Sequence, residues 1–169
     1  SHFFNDYKVN EPIITVRTFV PKNDKEFLSI DKFHNFWYIS PYHLSQISLP
    51  KIQEFISNSN SRIIRGYPSS IYILSRLFLK QNIINHEIKL IVVSSEILKD
   101  EYKDSINLAW PSAKICNTYG QNEGVLSMFT CKYGNWHNIN YYGYLEISDK
   151  NELIGTSLQN DVMPFVRYN

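Results

Sequence analysis

Apolar and β-branched residues fall in short runs along this chain, and three stretches break that rhythm with helical spacing instead. Pro12 to Val20 is dense in β-branched residues and reads as a strand, and Phe36-Trp37-Tyr38-Ile39 reads as a shorter one. Leu49 to Ile56 has apolar residues at helical intervals, with Pro50 acceptable in a first turn. Ile63-Ile64 leads into a predicted turn, Arg65-Gly66-Tyr67-Pro68-Ser69, and then an amphipathic helix over Ser70 to Lys80. Lys89-Leu90-Ile91-Val92-Val93 is a continuous apolar run, the pattern of a strand buried on both faces. Ser94-Ser95-Glu96 ends it, and a second helix is expected from about Leu98 to Leu108. Ala113 to Asn117 then reads as a strand leading into Tyr119. Strand–helix–strand–helix–strand from Ile63 to Tyr119 predicts a parallel sheet with right-handed crossovers.

Beyond Tyr119 the texture changes. Val125 to Cys131, Tyr144 to Ile147, Glu152 to Leu158 and Pro164 to Tyr168 read as short strands between tight turns, forming a second sheet or an antiparallel extension of the first. The fold class expected is therefore α/β: a parallel sheet flanked by helices, followed by short β-strands. Leading strands and a helix would occupy about 1–60, the parallel core 61–124, and a β-rich part 125–169.

Composition narrows the class. A chain of 169 residues with 43% hydrophobic and 20% charged residues can bury a core. Its 12 Tyr and 10 Phe favour sheet-rich packing. A net charge of +1 supplies no basic footprint for nucleic acid and no broad attraction to anionic lipid. No apolar stretch approaches the length of a membrane span. Cys116 and Cys131 make neither a CxxC motif nor a disulfide framework, so a reducing cytoplasm is the expected setting. The wealth of Asn, Ile, Lys and Tyr suggests an AT-rich bacterial genome.

Three polar clusters lie at predicted strand ends: Gly66-Tyr67-Pro68-Ser69, Ser94-Ser95-Glu96, and Tyr119-Gly120-Gln121-Asn122-Glu123. In open α/β sheets, ligands sit beyond the carboxyl ends of the strands, so these clusters are expected to share one rim. Each alone also reads as ordinary loop chemistry, with Ser69 as a helix N-cap and Glu96 as an acid in a first turn. The last cluster sets an aromatic ring, a flexible turn and a carboxylate together, a combination suited to a nucleotide and a metal.

In order, Arg65-Gly66-Tyr67-Pro68-Ser69, Val92-Val93-Ser94-Ser95-Glu96-Ile97-Leu98 and Asn117-Thr118-Tyr119-Gly120-Gln121-Asn122-Glu123 resemble the central part of an adenylate-forming (AMP-binding) enzyme. The resemblance is to the phenylacetate–CoA ligase branch and its relatives in capsular polysaccharide gene clusters. Trp136-His137, Gly143 to Ile147, Gly155 to Asn160 and Met163 to Tyr168 continue it, so that it covers nearly everything beyond about Phe36. It implies a fragment of the large N-terminal domain of an ATP-dependent ligase that activates a small carboxylic acid, with CoA or another acyl acceptor. It further implies that Ser94, Ser95 and Glu96 lie along the adenine, largely through backbone contacts. Asn117 and Thr118 would border the base and the acyl pocket, Tyr119 would stack on the adenine, and Gly120 and Asn122 would complete the nucleotide turn. Tyr67 and Pro68 would line the acyl pocket, and Arg167 and Tyr168 would lead into the ribose-binding turn. Glu123 would carry the catalytic contribution by holding magnesium on the ATP phosphates, a hard cation suited to oxygen ligands.

The chain also departs from that family. Asn122 stands where the family usually has Thr. No Ser/Thr/Gly-rich phosphate loop precedes Phe36, and the Gly-Asp expected after Arg167-Tyr168 and the lysine-bearing C-terminal lid do not follow. The expectation is a fragment inactive by itself. On spacing alone, Cys131 and His137 read as a buried thiol and a surface imidazole, since a closed zinc site needs four ligands. The resemblance implies instead that they form half of a zinc site completed by two later cysteines. The competing reading of the whole chain is a non-catalytic, degenerate nucleotide-binding or interaction module.

Overall fold

β-Branched density places the first strand, β1, at Ile13–Val16 of a computed structural model that describes residues 10–19, 26–159, 161 and 166–168. The expected strand ran to Val20; β1 stops at Val16 because both of its partners stop there, Ile39 on one side and Gly66 on the other. The chain divides into two units, 1–115 and 116–169.

In the first unit, strands β2 (Leu28–Asp31) and β3 (Phe36–Ile39) form a hairpin. The sequence did not signal β2. Its turn is set by the Asp31 carboxylate, which accepts from the N–H groups of Phe33 and His34 at 3.0 and 3.2 Å. Helix α1 (Leu49–Ser59) turns Leu49, Ile52 and Ile56 inward and ends at Asn60 in the left-handed region. Strand β4 (Ile63–Gly66) follows, so Arg65 and Gly66 belong to a strand and not to the expected turn. Helix α2 (Pro68–Lys80) starts with Pro68, whose missing N–H costs nothing in a first turn. Strand β5 (Leu90–Ser94) leads to helix α3 (Asp100–Ala109), which begins two residues later than expected, at the acidic pair Asp100-Glu101 that suits a helix N-terminus.

The strands lie in the order β2-β3-β1-β4-β5, with β3, β1, β4 and β5 parallel and β2 antiparallel at the edge. The chain leaves β1 towards β3 on one side and returns to β4 on the other, so the strand order reverses at β1. Ligands of open α/β sheets bind at such reversals. Side chains alternate across the sheet. Ile14, Ile64 and Ile91 share one row, and all three are fully buried with Ile52, Ile71, Leu74 and Phe78. Helices α2 and α3 pack together through a Tyr72–Tyr102 stack at 4.5 Å and through Trp110, just past α3. The Trp110 Nε1–H donates to Ser75 Oγ at 2.9 Å, and Ser75 Oγ donates to the Ile71 carbonyl at 2.8 Å.

The second unit takes up strand β6 (Lys114–Gly120) from Cys116 onwards. Strands β7 (Ser127–Thr130) and β8 (Trp136–Asn138) continue antiparallel to it, β8 without an expectation from the sequence. Strands β9 (Gly143–Ile147), β10 (Leu153–Ser157) and β11 (Arg167–Tyr168) form a separate antiparallel sheet in the order β11-β10-β9. Most of the expected strand over Pro164 to Tyr168 is therefore described only at its end; 162–165 lie outside the described residues. Val125 and Leu126 are the buried centre of this unit, and two glycines admit them. A Cβ on Gly143 would stand 1.7 Å from the Val125 carbonyl oxygen, and one on Gly155 2.7 Å from Leu126 Cγ. Among the described residues no helix is long and apolar enough to cross a membrane.

Candidate functional site

A cavity of about 180 Å³ opens at the carboxyl ends of β1, β4 and β5, where the strand order reverses. Thr15 and Arg17 reach it from β1 and the residue after it. Arg65, Gly66 and Tyr67 line it from β4 and its exit, and Ser94 and Ser95 from the end of β5. Gly66 is required here by contact: a Cβ would lie 2.5 Å from the carbonyl oxygen of Val16, its ladder partner. Ser95 holds φ at 69°, so β5 ends abruptly at the cavity wall. Thr15 is 1% exposed, and its Oγ1 has no hydrogen-bond partner.

Two of the three polar clusters meet in this unit. Glu96 reaches across to the start of α2, its carboxylate accepting from the Ser69 N–H at 3.0 Å and from Ser69 Oγ at 3.0 Å. The simple loop reading is thereby corrected. Ser69 is not the N-cap; Tyr67 holds that position in extended conformation without a side-chain cap. Glu96 is not in the first turn of α3 but satisfies the free N–H of α2 from outside. With both oxygens engaged, Glu96 can meet a ligand through its backbone. Tyr67 is half-buried and Pro68 buried; only Tyr67 lines the cavity.

The third cluster belongs to the second unit. Asn117, Thr118, Tyr119 and Gly120 lie within β6 itself, not beyond its end, with Thr118 opposite Phe129 and Tyr119 opposite Met128. The Asn117 N–H donates to Thr130 Oγ1 at 2.8 Å, fixing β6 against β7. Tyr119 is 40% exposed, and its hydroxyl accepts from Gln121 Nε2 at 3.4 Å. Gln121 to Gly124 form the turn, closed by the Gly124 N–H to the Gln121 carbonyl at 3.1 Å, with Gly124 at φ 68°. Asn122 and Glu123 stand exposed on it, and Glu123 makes no ion pair among the described residues. A single exposed carboxylate fits magnesium, which commonly takes one or two protein carboxylates and completes its shell with phosphate and water.

Cys131 and His137 do come together. The hairpin between β7 and β8 is closed by Cys131 N–H to Asn135 carbonyl and Gly134 N–H to Cys131 carbonyl, both 2.9 Å. The Cys131 thiol hydrogen-bonds the His137 ring, which with help from backbone N–H groups holds its pKa below the ordinary thiol value. No group of three or more His, Cys, Asp and Glu able to hold a metal occurs among the described residues, so this pair is two donors and not a closed zinc site. Cys116 is the opposite case, its pKa pushed up to about 11 by burial. Arg167, on β11, pairs through Nε and Nη2 with both oxygens of Glu146 at 3.0 Å, reaching across β10 to β9.

Sequence reasoning missed Thr15 and Arg17 as site residues. The available signal was their alternation with Ile14 and Val16, which puts two polar groups on one face of an otherwise apolar strand.

No protein-family model matches the chain, and none of the curated proteins does. Among solved structures the chain is similar to VinN in complex with L-aspartate, at 15% identity and a TM-score of 0.60 over 90% of this chain and 41% of that one. It is similar to 2-hydroxyisobutyryl-CoA ligase in an open conformation with 2-HIB-AMP and CoA, at 11% identity and a TM-score of 0.56, covering 88% and 39%. Coronafacic acid ligase from Pectobacterium brasiliense aligns at 13% identity and a TM-score of 0.53, covering 90% and 32%. At these identities the likeness is one of fold: a mostly parallel sheet with helices and antiparallel strands. The chain spans about two fifths or less of the length of these proteins.

Proposed function

We propose that this chain is part of an ATP-dependent ligase that activates a small carboxylic acid as its acyl-adenylate, on the phenylacetate–CoA ligase-like branch, with CoA as the favoured acceptor. The observation that carries the reading is the cavity at the strand reversal, walled by Tyr67, Ser94 and Ser95, in a fold shared with ligases of small acids. Adenylyl transfer asks little of covalent catalysis and much of positioning and charge neutralisation. The residues offer that division of labour. In the first unit Ser94, Ser95 and the backbone of Glu96 are assigned to the base; in the second, Asn117, Thr118, Gly120 and Asn122 are assigned to the nucleotide. Tyr119 stacks on it, and Tyr67 and Pro68 border the acyl group. Glu123 holds magnesium, which neutralises phosphate charge when bound. Cys131 and His137 contribute two donors to a zinc site in the parent enzyme.

The test is made in a longer protein that contains this chain. Glu123→Gln is expected to lower acid-dependent ATP–pyrophosphate exchange about a hundred-fold, the scale of losing one preorganised charge contact. An unchanged rate removes the role of Glu123. Calorimetry with AMP separates the nucleotide-binding readings from that of an interaction module: no binding by a folded longer protein counts against the enzyme and against a degenerate nucleotide-binding module alike.

A further inference from the structure

The cavity at the carboxyl ends of β1, β4 and β5 holds more positive charge than activation of a plain acid would use. Arg17 and Arg65 both line it, no carboxylate does, and neither arginine forms an ion pair among the described residues. The Arg65 Cζ lies 5.8 Å from the centre of the Phe36 ring, within cation–π range. The register places Thr15 opposite Arg65 on the neighbouring strand, and its buried hydroxyl has no hydrogen-bond partner in a cavity that both arginines also line. Unpaired buried polar groups are rare in native proteins and call for an explanation. Guanidinium groups donate only, in a planar fork that matches the oxygens of carboxylate or phosphate.

We propose that this cavity is a subsite for a second anionic group, carboxylate or phosphate, carried by the acid that is activated. The substrate class is then a small acid with two negative groups, one left unreacted between Arg17, Arg65 and Thr15. This inference rests on the ligase reading, and about 180 Å³ suits a short charged group better than a long alkyl chain.

The test begins with direct binding by the ¹⁵N-labelled chain, probed with succinate, inorganic phosphate and neutral succinamide. Succinate or phosphate is expected to give saturable amide shifts at Gly66, Ser94 and Ser95, and succinamide none. The stronger of the two anions identifies the group. Arg17→Gln and Arg65→Gln, both at exposed positions, should each weaken the anion about ten-fold, the loss of one charge-assisted contact. Absence of saturable shifts at those amides, or binding by both variants as tight as that of the unaltered chain with an otherwise unchanged spectrum, overturns the subsite. Exchange assays in the longer protein keep the two readings apart. Anion binding with no acid-dependent exchange leaves the subsite and removes the ligase; exchange with monoacids, without anion binding here, leaves the ligase and removes the subsite.

Discussion

At the scale of single residues, the two cysteines sit in opposed environments. Burial raises Cys116 to about 11, whereas the His137 hydrogen bond lowers Cys131. The thiolate is the reactive form. Iodoacetamide should therefore modify Cys131 first, with a midpoint below the ordinary thiol pKa, and His137→Ala should move that midpoint up; mass spectrometry across a pH series reads both. Cys116 should stay unmodified until the chain unfolds. Ser75 offers a second measurement, since its hydroxyl is the partner of the fully buried Trp110 indole. Ser75→Ala leaves that N–H unpaired and should cost about 1–3 kcal/mol in a urea titration. The second relation was not legible in the sequence. Ser75 and Trp110 are 35 residues apart, and only the packing of α2 against α3 joins them. Thr15 and Arg17 were hidden in the same way, because a strand's alternation tells which residues share a face but not what that face meets.

Among the elements, periodicity carried most of the information. Helices α1 and α2 and strand β5 were readable because their apolar spacing is set by the element itself. Strands β2 and β8 were not, since each is short and owes its place to the hairpin partner beside it. Boundaries shifted where tertiary contact decided them: Gly66 looked like a turn residue and is instead the point where β4 lies against β1. Gly66→Ala should accordingly destabilise the first unit by about 1–3 kcal/mol, as overpacking does, because its Cβ would meet backbone that cannot swing aside. Gly120→Ala, whose nearest neighbour would be 3.4 Å away, should cost little by comparison in the same denaturation experiment.

Over the whole molecule, the βαβαβ order from Ile63 onwards and the change to antiparallel strands after Tyr119 were both legible, since one follows from alternating periods and the other from shorter runs and closer turns. The ligase proposal places the grip on triphosphate and on the acyl carboxylate in segments other than these. Purified residues 1–169 are thus expected to show no acid-dependent ATP–pyrophosphate exchange above background, and measurable exchange would contradict that division. One joint within the first unit reaches further than its size suggests. Because Glu96 grips Ser69 twice, the peptide leaving β5 and the opening turn of α2 are tied into one body. Any guest that displaces Ser95 must drag that helix along, and the Tyr72–Tyr102 stack that joins it to α3 would register the tug as a change in fluorescence.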